Sequence, residues 1–128
     1  MTTILYIEDN RSNLELVQRV LARRPEVTLL VATQGRPGLE IARTQGPDLI
    51  LLDMHLPDMT GEEVLRHLRE TPQTREVPVV VISADAIPAQ IERLLAAGAH
   101  AYLTKPLDVK QFLSVLDQIM GARPSPAG

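Results

Sequence analysis

The sequence contains no cysteine, and aromatic residues make up only 2% of its 128 positions. Without cysteine the chain cannot form disulfides, bind zinc through thiolates or use a thiol as a nucleophile. The absence also fits a cytoplasmic protein. Because aromatic side chains are so few, the core must be built from Leu, Val, Ile and Ala. That composition suits a parallel sheet covered by helices.

The sequence also lacks an excess of positive charge and long apolar runs. Its formal net charge of −3 at pH 7 argues against a general attraction to nucleic acid or to an anionic membrane. No apolar run approaches the length of a membrane span, and the N-terminus lacks the basic-then-apolar pattern of a signal peptide. We therefore expect no direct contact with nucleic acid or with a membrane.

Short apolar runs rich in β-branched residues predict five strands. The runs are continuous rather than alternating, which is typical of strands that are buried on both faces. They lie at Thr3–Ile7, Val27–Thr33, Asp48–Asp53, Val77–Ser83 and Ala101–Thr104.

A segment with apolar residues at helical spacing follows each run. The first helix has Asn10 or Ser12 as its N-cap, and the fourth runs from Pro88 to a C-cap at Gly98. The other helices are predicted at Pro37–Gln45, at Glu62–Glu70 and after an N-cap at Asp108. In the fourth helix we expect Ile91, Leu94 and Leu95 to face inward.

Five βα units in so short a chain imply an α/β domain in which helices cover both faces of a parallel sheet. A closed barrel of eight units would need roughly 250 residues, so the sheet must be open. We expect the flavodoxin-like strand order 2-1-3-4-5 within one domain at residues 1–121. Residues 122–128 are rich in Pro, Gly and Ser, and they are predicted to form a flexible tail or linker.

Polar side chains stand at the C-terminal ends of four predicted strands. Glu8 and Asp9 follow the first strand, Asp53 ends the third, Ser83 ends the fourth, and Lys105 follows the fifth. In the order 2-1-3-4-5 the first and third strands are neighbours, so three carboxylates would share one small site. Carboxylates so close together require either a raised pKa or a bound cation.

This set of residues predicts phosphoryl chemistry assisted by magnesium. Glu8, Asp9 and Asp53 offer only hard oxygen ligands, which magnesium prefers together with waters and a phosphate oxygen. A carboxylate can itself attack phosphorus, and Asp53 is the best placed of the three. Lys105 would pair with the phosphoryl charge, and Ser83 would donate its hydroxyl to a phosphoryl oxygen.

In these motifs the sequence resembles the receiver domain of two-component response regulators, from about Thr3 to Met120. The resemblance implies a signalling domain rather than a conventional enzyme. It rests on the acidic pair Glu8-Asp9, the segment Leu51–Gly61, Ser83-Ala84, and the run Tyr102-Leu103-Thr104-Lys105-Pro106. All of these motifs occur in the family's order and at the corresponding strand ends.

The resemblance implies a role for each residue of the acidic site. Asp53 would be the phosphoacceptor. Asp9, Asp53 and the main-chain carbonyl of His55 would bind magnesium or manganese directly, and Glu8 would act through metal-bound water. Glu8 stands where Asp is also common in the family, so it is a mild departure.

The resemblance also implies a switch. Ser83 would move toward the phosphoryl group together with Tyr102, and Lys105-Pro106 matches a pair that usually has a cis peptide bond. His55 and Asp85 lie beside the acceptor and would tune the lifetime of the phosphorylated state.

The implied phosphoryl donor is a phosphohistidine on a histidine kinase or a phosphotransfer domain. The receiver would assist both its own phosphorylation and its hydrolysis. It would act on a downstream protein through the face of the fourth helix, fifth strand and fifth helix, which carries Gln90, Arg93, Lys110 and Gln111. The chain would be either a free receiver or the receiver segment of a hybrid sensor kinase, and its motifs look more like the second.

Three other functions fit less well. A haloacid dehalogenase-type phosphatase has its nucleophile after the first strand and a second Asp two residues later, whereas Asp53 follows the third strand and His55 stands at that position. A flavodoxin binds a flavin phosphate in its first loop, where Glu8-Asp9 would repel it. A receiver-like scaffold that is never phosphorylated usually loses an acidic, hydroxyl or lysine position, and this chain keeps all of them.

Overall fold

The computed structural model describes residues 2–120, in which five strands alternate strictly with five helices. The strands are β1 (Thr2–Ile7), β2 (Val27–Ala32), β3 (Leu49–Asp53), β4 (Val79–Ser83) and β5 (Ala101–Thr104). The helices are α1 (Arg11–Leu21), α2 (Gly35–Gln45), α3 (Gly61–Glu70), α4 (Pro88–Ala96) and α5 (Val109–Met120). Residues 122–128, the predicted tail, lie outside the described residues.

All five strands form one parallel sheet in the order β2-β1-β3-β4-β5, as predicted. The order reverses between β1 and β3, which pair directly, with Ile7 opposite Leu52. Every residue of β3 and of β4 is buried, and both sequences are apolar up to their last residues, Asp53 and Ser83. The C-terminal ends of these three central strands therefore form one edge at which polar side chains can meet.

Helices cover both faces of the sheet, and β3 contributes to the core on each side. Ile50 and Leu52 pack in the cluster that contains Leu65 of α3. Leu51 packs in the opposite cluster, which contains Phe112 of α5. Within residues 2–120, no helix combines the length and the hydropathy needed to cross a bilayer.

The helix ends mostly follow their predicted signals. The Asn10 side chain, rather than that of Ser12, caps α1 by accepting from the Asn13 amide at 3.1 Å. Asp108 accepts from the Gln111 amide at 2.9 Å at the start of α5, as predicted. Helix α2 begins two residues earlier than predicted, at Gly35.

Two predictions for α4 are wrong. Leu95 is 42% exposed, whereas the adjacent Leu94 is fully buried. Successive helical residues are about 100° apart, so a short helix that packs along one stripe cannot bury both. The C-cap is Ala97 rather than Gly98. Gly98 is the next residue and adopts a left-handed φ of 113°, which glycine tolerates without strain.

Candidate functional site

Three carboxylates converge where the strand order reverses. Glu8 and Asp9 directly follow β1, and Asp53 is the last residue of β3. One oxygen atom from each lies within 4.8 Å of the others. Glu8 and Asp53 are buried, whereas Asp9 is exposed. The structure thus brings together the three carboxylates that the sequence places at neighbouring strand ends.

Lys105 brings a positive charge to this cluster. Its Nζ lies 3.0 Å from Glu8 Oε1 and 3.1 Å from Asp53 Oδ1. The Lys105 amide donates to the main-chain oxygen of Ser83 at 2.8 Å, and the Lys105–Pro106 peptide is cis. The lysine therefore touches two of the three predicted acidic residues.

Burial and mutual repulsion divide the charge unevenly between Glu8 and Asp53. Burial raises the pKa of Asp53 to about 6, and the adjacent Glu8 carboxylate adds to this rise. Burial also acts to raise the pKa of Glu8, but hydrogen bonds from Lys105 and Asp53 lower it overall. Of the pair, Glu8 is thus the stable anion and Asp53 holds its proton more tightly, so a bound cation would favour full ionisation of Asp53.

A set of donors that sequence reasoning missed holds Glu8 in place. Tyr6 Oη donates to Glu8 Oε1 at 3.0 Å, and Asn13 Nδ2 donates to the same oxygen at 3.1 Å. The Asn10 amide donates to Oε2 at 3.2 Å. Tyr6 is the one aromatic residue of β1 and is fully buried, two residues before Glu8. Residues two apart along a strand point to the same face of the sheet, and this spacing from Glu8 could have identified Tyr6.

Ser83 and Tyr102, the predicted switch residues, are connected through Asp85. Ser83 ends β4, is buried, and accepts from the Asp85 amide through Oγ at 3.1 Å. Tyr102 is half-buried in β5 and donates its hydroxyl to the Asp85 carbonyl at 2.7 Å. Gln90 Nε2 donates to the same hydroxyl at 3.0 Å. The loop after β4 therefore links a residue beside the acidic site to α4.

His55 and Asp85 also lie in contact. His55 Nε2 is 3.0 Å from Asp85 Oδ2, and this hydrogen bond lowers the pKa of Asp85. The His55 side chain is 72% exposed. Because His55 follows β3 and Asp85 follows β4, the contact joins the loops beyond these two strands.

The residues present fit a hard divalent cation. Glu8, Asp9 and Asp53 offer only carboxylate oxygens, which suit magnesium or manganese rather than softer metals. A carboxylate nucleophile beside metal donors, an ammonium group and a hydroxyl has the charges and donors needed to accept a phosphoryl group.

Sequence comparisons give a family match over most of the chain. Residues 4–117 match the family model of the response regulator receiver domain. The chain is 31% identical over 119 residues to the polar-differentiation response regulator DivK of Brucella ovis, with 93% of this chain and 96% of DivK covered.

Two solved structures that are similar in fold to this chain contain a metal ion. The receiver domain of the sensor histidine kinase PA1611 from Pseudomonas aeruginosa PAO1 has a magnesium ion coordinated in its active-site cleft. It is 29% identical with a TM-score of 0.83, and 94% of this chain and 98% of that chain are covered. The manganese-bound form of the response regulator Rcp1 is 27% identical with a TM-score of 0.77, covering 94% and 93% of the two chains.

Proposed function

Because the chain belongs to the response regulator receiver domain family of two-component signalling, we propose that it accepts a phosphoryl group on Asp53 and acts as a signalling switch. Receiver domains are signalling domains rather than conventional enzymes. The observation that carries the proposal is the buried Asp53 carboxylate, 3.1 Å from Lys105 and clustered with Glu8 and Asp9. This arrangement supplies a nucleophile, an ammonium group and metal donors at one sheet edge.

We propose that magnesium, or manganese in its place, binds at this cluster. Asp9, Asp53 and the main-chain carbonyl of His55 would be direct ligands, and Glu8 would act through water. The existing contacts of Glu8 support a role through metal-bound water instead of direct ligation, because its two oxygens already accept from four donors. When bound, the metal would neutralise charge on the phosphoryl oxygens.

The donor would be a phosphohistidine on a histidine kinase or a phosphotransfer domain. A carboxylate oxygen of Asp53 would attack phosphorus while the phosphorus–nitrogen bond breaks and the imidazole keeps the electron pair. Lys105 would pair with the transferred group, and Ser83 would donate its hydroxyl to it. The same residues would assist later attack by water, so the domain would promote both its phosphorylation and its hydrolysis.

Phosphorylation would change the output face through Asp85. A Ser83 hydroxyl that turns to the phosphoryl group gives up its bond with the Asp85 amide, and Tyr102 is bonded to the same residue. The movement would thereby reach the face formed by α4, β5 and α5. We propose that Gln90, Lys110 and Gln111 lie on that face, and that the exposed side chains of Ile87 and Leu95 add apolar contact area for a downstream protein. Arg93 is also predicted there, but it pairs with Glu62 of α3 at 3.3 Å.

His55 and Asp85 would set the lifetime of the phosphorylated state. Their contact joins the two loops that flank the acceptor, and we propose that it limits the access of water to the aspartyl phosphate. His55→Ala and Asp85→Ala should each shorten the lifetime. The double variant should add little further, because the two side chains act as one unit. Additive effects in a dephosphorylation assay would contradict this role.

We propose two possible protein contexts for this chain. DivK is a response regulator of nearly the same length, whereas the PA1611 receiver comes from a sensor histidine kinase. The chain would therefore serve either as a free receiver or as a segment of a hybrid kinase. We place the reaction in the cytoplasm, which the cysteine-free sequence fits.

Manganese offers a direct test of the metal site because it broadens nearby NMR signals. When it is titrated into isotope-labelled protein, the amides of Glu8, Asp9, Asp53 and His55 should broaden first. Excess magnesium should restore their signals, and Asp53→Asn should require more manganese for the same effect. Broadening that begins elsewhere, or that Asp53→Asn leaves unchanged, would contradict the proposed site.

A further inference from the structure

Helix α2 takes its N-terminal cap from a distant residue. Its own N-cap, Gln34, makes no side-chain capping bond, and its first turn contains no acidic residue. The first amides of a helix nevertheless need acceptors. Both carboxylate oxygens of Asp58 provide them, at sequence separations of 23 and 22: Gly35 N donates to Oδ1 at 2.7 Å and Arg36 N donates to Oδ2 at 2.9 Å.

The approach of α2 to the Asp58 loop depends on a glycine. A Cβ at Gly35 would overlap the Met59 side chain. Farther along the helix, a Cβ at Gly38 would overlap Ile7, the residue that immediately precedes Glu8. Helix α2 is therefore packed closely against the end of β1, beside the first two acidic residues of the site.

The loop that carries Asp58 begins at the phosphoacceptor. Residues 54–60 connect Asp53 to α3, and two main-chain contacts close the base of this loop. Gly61 N donates to the Met54 carbonyl at 2.9 Å, and His55 forms an antiparallel bridge with Thr60. These contacts fix where the loop starts and ends, whereas Asp58 ties its tip to α2.

We propose that Asp58 is a positioning residue for the metal site. By binding the start of α2, its carboxylate holds the 54–60 loop, and with it the main chain of His55, in place relative to Glu8 and Asp9. The inference rests on the function proposed above. Asp58 would not be a metal ligand itself, because both of its oxygens are already bonded to amides.

The charge on Asp58 strengthens this connection. The amides of Arg36 and Gly35 lower the pKa of its carboxyl, so the group is ionised at neutral pH. Hydrogen bonds to an ionised acceptor at a helix N-terminus are stronger than neutral ones.

If Asp58 were a helix cap with no further role, its removal would only lower the stability of the protein. A positioning residue predicts weaker metal binding in a protein that is still folded.

Magnesium binding to the intact chain, measured by isothermal titration calorimetry, separates these two possibilities. Asp58→Ala should raise the magnesium dissociation constant about tenfold, as is usual when the support of a ligand is lost. Asp58→Asn keeps one carbonyl acceptor, so it should raise the magnesium dissociation constant less than Asp58→Ala does. It also provides a second measurement of the same contact if the alanine variant folds poorly. Asp108→Ala is the matched control, because it removes a carboxylate cap from α5 and leaves the 54–60 loop and the Asp58 contacts intact.

Phosphorylation by acetyl phosphate provides a second measurement. The magnesium concentration that gives half the maximal rate should rise in Asp58→Ala by the same factor as the dissociation constant. The rate at saturating magnesium should return close to that of the wild type, because the acceptor and Lys105 are unchanged.

The outcomes distinguish this inference from the proposed function. An unchanged dissociation constant in Asp58→Ala overturns the positioning role while the phosphoacceptor function stands. An equal loss of magnesium affinity in Asp108→Ala also overturns it, because that result would be general destabilisation. A wild-type protein that binds no magnesium overturns both.

Discussion

Tyr102 donates its hydroxyl hydrogen to the main-chain carbonyl of Asp85 at 2.7 Å, and this contact connects β5 to the loop after β4. The amide of the same Asp85 donates to Ser83 Oγ at 3.1 Å. Any movement of the Ser83 hydroxyl must therefore change the bonding of a residue that also holds Tyr102. Ser83, Asp85 and Tyr102 thus connect the end of β4, beside the acidic site, with the half-buried tyrosine of β5.

Tyr102→Phe should break this connection without damaging the acidic site. The variant should still bind beryllofluoride and magnesium, because the ligands are untouched. The amide shift changes seen on binding should no longer extend into α4. Gln90→Ala should also weaken the effect in α4, since Gln90 is a residue of α4 that donates to the Tyr102 hydroxyl. If the shift changes in α4 on binding were as large in Tyr102→Phe as in the wild type, the coupling would be contradicted.

Tyr6→Phe should destabilise the protein more than Tyr102→Phe does. The Tyr6 hydroxyl donates to the fully buried and ionised Glu8, and loss of such a bond costs about 2 kcal/mol. The Tyr102 hydroxyl donates to a neutral carbonyl in a half-buried position, where about 1 kcal/mol is typical. Urea unfolding in the presence of chelator measures both values. Equal losses in the two variants would show that Glu8 does not depend on Tyr6.

The raised pKa of Asp53 should make the stability of the metal-free protein depend on pH. The ordinary pKa of this group is 3.8, and burial raises it to about 6 in the folded protein. Between these values the folded chain binds more protons than the unfolded chain, so the contribution of Asp53 to stability falls as pH rises. Above both values the buried anion remains destabilising, and Asp53→Asn should be more stable than the wild type at neutral pH.

Unfolding free energies across this pH range, measured with chelator for both proteins, test the assignment. The difference between the two should grow as pH rises from 3.8 toward about 6 and then level off. Saturating magnesium should reduce the difference, because the metal favours the ionised carboxylate. Parallel pH profiles without metal would show that Asp53 is not the perturbed group.

Local patterns predicted the strands and the main site residues, and the strand order came from the known arrangement of open five-stranded α/β sheets. Continuous β-branched runs indicate buried parallel strands, and the C-terminal ends of such strands meet at one edge. These patterns place Asp53 and Lys105 at the same edge of the sheet, and the two side chains lie 3.1 Å apart.

The remaining features depend on tertiary contacts that no local pattern contains. Asp58 caps a helix that precedes it by 23 residues, so no capping motif in the α2 sequence could reveal it. The bond from Asn13 to Glu8 requires the actual direction of α1 relative to β1. The exposure of Leu95 depends on which stripe of α4 meets the sheet, and two adjacent leucines do not decide that.

The most direct test of the central claim is intact-mass measurement after incubation with magnesium and acetyl phosphate. The wild type should gain one phosphoryl group, the gain should disappear with chelator, and Asp53→Asn should gain none. An adduct that persists in Asp53→Asn would contradict the assignment of Asp53 as the acceptor. So would the absence of any adduct on a wild-type protein that binds beryllofluoride stably.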